Sequence, residues 1–239
     1  MKEASFNKWF NVFILGGMTL ALVLATIIKF EASTTGRWLL LISAFGSLMG
    51  VLSTVFSANG RIITFLFGLL DVSIYAVMCF IGAKYGNAVL HVAYFIPMQF
   101  VGFAQWRRRN AGSSEPVRAR RLNRKQRFVA GAVLVLGSTA VWTVLHFFSD
   151  SNTVVFDAIS VTCNIIGQFL MSTAYMEQWL FWIGVNIASI LMWSLTLAAD
   201  PGSSYALIYV IKYSFYLVNS FNGLRIWIGL SRKDDCLDN

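Results

Sequence analysis

Phe100-Val-Gly-Phe-Ala-Gln-Trp106 and Phe221-Asn-Gly-Leu-Arg-Ile-Trp227 share the pattern Phe-x-Gly-x-x-x-Trp, 121 positions apart. A second pair of segments, Leu52-Ser-Thr-Val-Phe56 and Met171-Ser-Thr-Ala-Tyr175, recurs 119 positions apart. Each match is short, but two matches at nearly one separation indicate that part of the chain is duplicated. The sequence around these motifs should therefore fold as two related units.

The motifs lie in apolar runs that are long enough to cross a bilayer. Of the 239 residues, 57% are hydrophobic and 13% are charged, whereas soluble domains contain about 25% charged residues. A spanning helix needs about 20 mostly apolar residues. We therefore predict an all-α polytopic membrane protein with about eight transmembrane helices. The predicted spans are Asn11–Phe30, Arg37–Phe56, Ile62–Ala83, Ala88–Trp106, Phe128–Phe148, Val154–Tyr175, Trp179–Ala198 and Tyr205–Ile228.

The duplicated motifs bracket two groups of three spans, which start four spans apart and so cross the membrane in the same direction. This pattern predicts a parallel 3+1+3 repeat of the kind found in transporters, with an extra N-terminal helix. A signal peptide is the alternative for that first span, but its apolar run is too long for one. The predicted parts are a peripheral helix (1–30), the first repeat (31–106), a basic loop (107–127), an inverting linker helix (128–150), the second repeat (151–230) and a tail (231–239).

The distribution of basic residues predicts the orientation. The loop 107–127 holds nine Lys and Arg residues, and such loops stay in the cytoplasm. Both termini are then cytoplasmic, with 15 Lys and Arg residues inside, three outside, and Lys212 within a span. The net charge of +8 is concentrated in this loop, so we expect no nucleic-acid partner. The loop is read as an orientation signal, with RNA or lipid binding as the alternative.

Polar side chains within the spans form stripes at helical spacing, and such residues often line a pathway. With a rise of about 1.5 Å per residue, Gln168, Asn186 and Asn219 lie at about one depth. Each amide has the alternative role of joining two helices. Asp157 is read as solvated near the outer mouth, and Trp193 as a core or interfacial residue. The predicted substrate contacts are Gln168, Trp182, Asn186, Lys212, Tyr213, Tyr216, Asn219, Asn164, Asp71, Tyr94 and Gln99.

The charged members of this set need partners or functions. Asp71 either pairs with a basic group inside the bundle or titrates in ion coupling. Lys212 aligns with His91 at the separation of 121 residues that relates the two Trp motifs, which suggests a pathway lining or a gate. The three amides lie near Trp182 and Tyr216, so hydrogen-bond donors and acceptors beside aromatic faces form a plausible pocket.

Further features occur in a fixed order: Tyr85-Gly86 before a tyrosine-rich helix, Gly167-Gln168, Trp182-x-x-x-Asn186 after Glu177, and the paired Gly-x-x-x-Trp endings. With the 3+1+3 layout, this set resembles the PnuC family of bacterial nicotinamide riboside transporters over about residues 37–227. The resemblance implies a SWEET-like fold and facilitated diffusion of nicotinamide riboside across the inner membrane. It also implies that cytosolic phosphorylation traps the substrate. The long basic loop and the first helix depart from the family pattern.

Two other classes of function stay open. A membrane-embedded enzyme would need paired carboxylates or a metal cluster, for which Asp71 with His91 is the one weak candidate. A structural or sensor subunit would use its polar stripes only to join helices. The sequence contains no Walker loop, dinucleotide fingerprint or zinc-protease motif, so we expect a transporter without cofactor, metal or catalytic residues. Its partners are the substrate and the bilayer, and homo-oligomerisation is left open.

Overall fold

The computed structural model describes residues 2–30, 37–81, 85–109, 115–148, 154–199 and 204–235, and these are almost entirely helical. A π-helical turn, His91–Phe95, joins the helix Tyr85–Leu90 to the helix Ile96–Arg108. The backbone angles on both sides of the turn are helical, so the three pieces form one continuous helix. The helices are α1 (Lys2–Phe30), α2 (Arg37–Ala58), α3 (Thr64–Ile81), α4 (Tyr85–Leu90), α5 (Ile96–Arg108), α6 (Arg124–Phe148), α7 (Val154–Ser172), α8 (Gln178–Ala199) and α9 (Ser204–Asp235).

The prediction of an all-helical polytopic membrane protein is confirmed. Within the described ranges, six helices are long and apolar enough to cross a membrane, and one apolar stretch, Thr64–Met78, is shorter. Most side chains on the outer faces of these helices are apolar, as contact with lipid requires. The intervals between predicted spans at 31–36, 84–87, 149–153 and 199–204 lie wholly or partly outside the described residues.

The helices pack as two reciprocal groups of three. In the first group α3 packs against α2 and against the continuous helix formed by α4, the π turn and α5; in the second α8 packs against α7 and α9. Across the groups, α5 contacts α7 and α9 contacts α2. The last helix of each group thus packs on the first helix of the other. The intervening helix, α6, packs on α7 and has no buried residue.

Helix α1 lies at the edge of the bundle, against α2 and α9. Its buried side chains, Ile14, Met18, Leu22 and Ala25, follow helical spacing along one face. Burying such a stripe contributes roughly 1.5–3 kcal/mol for each fully enclosed large side chain. The extra N-terminal helix is therefore packed onto the two groups, although it supplies none of the cavity wall described below.

The glycines of the Phe-x-Gly-x-x-x-Trp motifs make room for equivalent aromatic rings. A Cβ atom on Gly223 would lie 2.6 Å from the ring of Trp179, at the start of α8. A Cβ atom on Gly102 would overlap the ring of Phe65, at the start of α3. The glycine in each motif therefore allows the second helix of its own group to approach the third.

The tryptophans of the motifs join the two groups. The Nε1 atom of Trp106 donates to the carbonyl of Met171 at 2.7 Å, in the last turn of α7. The Nε1 atom of Trp227 donates to the carbonyl of Ser57 at 3.0 Å, in the last turn of α2. Both rings are completely buried and their centroids lie 5.4 Å apart. Each motif therefore hydrogen-bonds to the first helix of the opposite group.

The turns after α2 and α7 also have the same backbone conformation. Gly60 and Ala174 have φ values of 66° and 62°. The following N–H in each turn donates to the carbonyl five residues earlier, at 2.9 Å and 2.8 Å, which is the Schellman pattern. Only glycine adopts this left-handed conformation without cost, so the tertiary contacts must hold Ala174 in it.

A strap formed by residues 115–123 connects these two turns. The N–H of Val117 donates to the carbonyl of Gly60 at 2.9 Å, and the N–H of Arg120 donates to the carbonyl of Ala174 at 2.8 Å. Val117 and Ala119 are buried in the cluster that contains both motif tryptophans. The strap is therefore a packed link between the groups.

An ion pair, a hydrogen bond and a cation–π contact anchor the strap and the start of α6 to the turn before α8. Glu177 forms an ion pair with Arg127 at 3.0 Å and accepts a hydrogen bond from the N–H of Leu122 at 3.1 Å. The guanidinium of Arg120 stacks over the ring of Tyr175, 4.5 Å from its centroid. The described part of the basic loop therefore contributes packed and hydrogen-bonded structure, and its role as an orientation signal stays a prediction.

Candidate functional site

A cavity of about 240 Å³ lies between the two groups of helices. Its wall includes residues of α2, α3, the π turn, α7, α8 and α9. The third helix of the first group reaches the wall because its π turn and first α5 turn face inward with Phe95 and Gln99. The residues that the sequence singled out and that line this cavity are Asp71, Gln99, Asn164, Gln168, Trp182, Asn186, Lys212, Tyr213 and Tyr216.

Two predicted contacts, Asn219 and Tyr94, do not line the cavity. Asn219 is buried and its amide nitrogen donates to the carbonyl of Thr54 at 3.0 Å, so it joins α9 to α2. The hydroxyl of Tyr94 donates to the carbonyl of Ile165 on α7 at 2.7 Å. Equal depth in the membrane placed Asn219 among the candidates, but depth does not determine the direction in which a side chain points.

Two wall amides are oriented by serine hydroxyl groups. The Nδ2 atom of Asn186 donates to Ser220 Oγ at 3.0 Å, and the Nε2 atom of Gln168 donates to Ser172 Oγ at 3.3 Å. Both side chains are almost fully buried. Because the nitrogen of each amide is held, its oxygen has a defined direction in which it can accept a hydrogen bond from a ligand.

Some buried polar atoms of wall residues have no hydrogen-bond partner among the residues that the structure describes. They include the Oε1 atom of Gln99 and the hydroxyl oxygen of Tyr216. A buried polar atom without a partner costs about 1–3 kcal/mol. Gly68 makes room for the first, since a Cβ atom there would lie 2.6 Å from Gln99 Oε1. The wall is therefore provided with groups that a polar ligand or water would satisfy.

An ion pair crosses the cavity wall from one helix group to the other. The Nζ atom of Lys212, on α9, lies 3.7 Å from Oδ1 of Asp71, on α3. The same ammonium lies 5.4 Å from the centroid of the Tyr216 ring, within the range of a cation–π contact. Of the alternatives for Asp71, pairing with a basic group inside the bundle is therefore the one that the structure shows.

Aromatic rings line one side of the cavity and continue along α9. Trp182 rests against Gly167, where a Cβ atom would be 3.4 Å from the indole ring. The rings of Tyr213 and Tyr216 have centroids 6.1 Å apart, and Trp193 stacks on Tyr209 at 4.6 Å. These rings can offer their faces to a flat cationic group.

The wall also includes residues outside the predicted set. Asp157 and Trp193 lie on it, and Trp193 is also buried, as the core role expected for it requires. Ser53 lies on it as well, with its hydroxyl 3.0 Å from the carbonyl of Thr64. Its place in the repeated Leu52–Phe56 motif was a usable signal, but serine is common wherever membrane helices pack closely. Among the described residues, no three His, Cys, Asp or Glu side chains come close enough to hold a metal ion.

A known protein family matches the part of the chain that contains both groups of helices. The model of a family described as nicotinamide mononucleotide transporter matches residues 40–229. The chain belongs to this family. The resemblance to PnuC proteins inferred from the sequence is thereby confirmed, and the chain is a member of a family of multi-pass membrane transporters, not of enzymes.

Individual relatives agree with the family assignment. The nicotinamide riboside transporter PnuC of Neisseria mucosa is 34% identical over 196 residues, which cover 80% of this chain and 73% of the relative. The protein of the same name from Haemophilus influenzae is 32% identical over 220 residues, covering 90% and 89%. A crystal structure of the vitamin B3 transporter PnuC superposes with a TM-score of 0.75 at 30% identity, covering 96% of this chain and 93% of that one.

Proposed function

We propose that this protein carries nicotinamide riboside across a bacterial inner membrane by facilitated diffusion. The observation that carries the proposal is a cavity between two groups of helices whose wall combines buried amides with aromatic rings. Nicotinamide riboside has a cationic pyridinium ring, a carboxamide and ribose hydroxyl groups. Aromatic faces suit the ring, and the amides suit the carboxamide and the hydroxyl groups. The names of the relatives point to the same substrate.

The wall favours the riboside over the mononucleotide that gives the family its description. A phosphate group is dianionic and usually needs arginines, lysines or helix N-termini around it. The ionisable groups on the described wall include two carboxylates, Asp71 and Asp157, with Lys212 and His91. Because Lys212 already pairs with Asp71, this wall offers little positive charge to a phosphate.

We further propose that the bundle is a SWEET-like 3+1+3 repeat of eight spans, with residues 31–106 and 151–230 as the repeats and 128–150 as the linker helix. Support comes from the reciprocal packing of α5 on α7 and α9 on α2, and from the exchanged tryptophan hydrogen bonds. Both termini and the strap are cytoplasmic in this proposal, because the basic residues cluster on that side.

Within the cavity, we assign Gln168 and Asn186 to the polar groups of the substrate and Trp182 to its ring. Asn164, Gln99, Tyr213 and Tyr216 are further residues of the wall. Facilitated diffusion moves substrate only down its gradient, so uptake would continue only if cytosolic phosphorylation removes the riboside as it enters. Asn219 and Tyr94 have structural roles in this assignment.

Uptake of labelled nicotinamide riboside into liposomes containing the purified protein tests the proposal. We expect saturable uptake that exceeds that of empty liposomes and reaches equal concentrations on both sides. Unlabelled nicotinamide riboside should compete strongly, and nicotinamide mononucleotide weakly. Uptake indistinguishable from that of empty liposomes would refute the proposed function, and stronger competition by the mononucleotide would refute the choice of substrate.

A further inference from the structure

The ion pair between Asp71 and Lys212 has an asymmetry that bears on how a cation could bind. The side chain of Asp71 is 23% exposed, whereas that of Lys212 is 7% exposed. Both residues line the cavity. The carboxylate thus keeps an open face, and the ammonium is almost enclosed. At 3.7 Å between Nζ and Oδ1, the pair is at the long end of ion-pair distances, so little would have to move for another cation to share the carboxylate.

The surroundings pack one oxygen of the carboxylate closely and give the ammonium a second partner. Oδ1 of Asp71 faces Lys212, and Oδ2 packs against Gly50, where an added Cβ atom would lie only 2.6 Å away. The ring of Tyr216 lies 5.4 Å from the Lys212 ammonium. An ammonium that moves away from Asp71 can therefore remain stabilised over the tyrosine ring.

We infer that Lys212 is an internal substitute for the positive charge of the substrate, occupying Asp71 while the cavity is empty and giving way when a cationic ring binds. This inference rests on the proposed function, since it requires a permanently cationic substrate. A carboxylate without a partner is costly inside a membrane protein. With Lys212 in place, the empty cavity carries a neutral pair, and with substrate bound Asp71 neutralises the ring instead.

Two consequences follow for transport. Asp71 selects a cationic ring over a neutral one of the same shape, because only the cation replaces the charge that the carboxylate holds. Lys212 allows the empty protein to return across the membrane, because the pair then leaves no bare charge in the cavity. The two residues come from α3 and α9, in different helix groups, so the contact also joins parts that would move relative to each other.

The first arm of the experiment measures binding by titration calorimetry. Purified parent, Asp71→Asn and the double variant Asp71→Asn with Lys212→Gln are titrated with nicotinamide riboside and with its reduced form, which has the same outline but a neutral ring. In the double variant we expect affinity for the cation to fall about tenfold or more and affinity for the neutral form to change less than about threefold. The double variant leaves no unpaired charge, so it still tests selectivity if Asp71→Asn fails to fold.

The second arm compares two modes of transport in liposomes. In Lys212→Gln we expect the ratio of net uptake into substrate-free liposomes to exchange, with riboside on both sides, to fall about tenfold or more relative to the parent. The variant Lys212→Arg keeps the positive charge and should keep the ratio of the parent.

The outcomes separate this inference from the proposed function. A parent protein that neither binds nor moves nicotinamide riboside would refute both. If the parent binds the riboside but the double variant keeps the same preference for the cationic ring, the inference alone is overturned. Equal loss of exchange and net uptake in Lys212→Gln would likewise overturn it, because that result indicates a lysine that serves only the structure.

Discussion

Replacing Asn186 by alanine tests whether the cavity wall binds the substrate, because Asn219 provides a matched control. Both are buried asparagines of the second helix group, 3% and 1% exposed. The amide of Asn186 lies on the wall, held by Ser220 Oγ at 3.0 Å. The amide of Asn219 points away from the cavity and donates to the carbonyl of Thr54 at 3.0 Å. The two substitutions therefore remove the same group from two different environments.

We expect Asn186→Ala to change mainly the affinity for substrate, and Asn219→Ala to change only the stability of the protein. In Asn186→Ala the substrate loses a hydrogen bond at a buried site, which costs about 1–3 kcal/mol. The dissociation constant for nicotinamide riboside should therefore rise about five- to 150-fold. In Asn219→Ala the helix pair α2 and α9 loses one hydrogen bond, worth roughly 0.6–2 kcal/mol in a membrane protein. Stability should fall, and the dissociation constant should change less than about threefold.

Titration calorimetry on the purified variants gives the affinities, and thermal unfolding in the same detergent gives the stabilities. Both variants should lose some stability, because the amide of Asn186 also joins α8 to α9 through Ser220, but only Asn186→Ala should lose affinity. Unchanged affinity in Asn186→Ala would show that the cavity wall at this point does not contact the substrate. An equal loss of affinity in both variants would show that the contribution of an amide to substrate binding does not depend on whether it lies on the cavity wall.

Three further predictions concern the ring contact, the turns and the topology. Trp182→Ala should weaken riboside binding more than Trp182→Phe, since phenylalanine keeps an aromatic face worth about 0.5–2 kcal/mol; equal affinities by calorimetry would contradict this contact. Gly60→Ala should lower the unfolding temperature, because left-handed backbone costs a non-glycine residue about 1–2 kcal/mol and its Cβ atom would lie 3.1 Å from Pro116. Gly131→Ala on α6, with open space at its Cβ position, is the control, and equal melting of the two variants would refute the reasoning. Reporter fusions at Asn239 and Ser151 should report opposite sides of the membrane; signals from one side would contradict the topology of eight spans.

Much of the fold was predictable because hydrophobic length and motif repetition are written along the chain. Apolar runs of about 20 residues define membrane helices without reference to their neighbours. The two Phe-x-Gly-x-x-x-Trp motifs predicted equivalent positions, and their contacts are indeed reciprocal. The π turn at His91–Phe95 was not predictable, because no residue type specifies it. The strap was underestimated, since the nine basic residues of the loop 107–127 drew attention away from the buried Val117 and Ala119.

The sequence predicted which polar residue types the candidate site contains. It predicted less well which of their side chains point into the cavity. Gln168, Asn186 and Trp182 reach the wall as expected. Asn219 was placed with them because a helical rise gives depth, but the rotation of α9 against α2 turns its amide to a backbone carbonyl. The pairing of Lys212 with Asp71 joins residues 141 positions apart, and no spacing rule connects them.

By itself, the sequence determined the membrane environment, the approximate limits of the helices, the repeated motifs and the residue types available to a ligand. These properties depend on side chains one at a time, through hydrophobicity and spacing along a single helix. Only the tertiary structure decided which amides face the cavity, which cation neutralises Asp71, and that the strap joins the turns at Gly60 and Ala174. Those outcomes depend on how helices rotate and approach one another, which is set by the packing of all of them together.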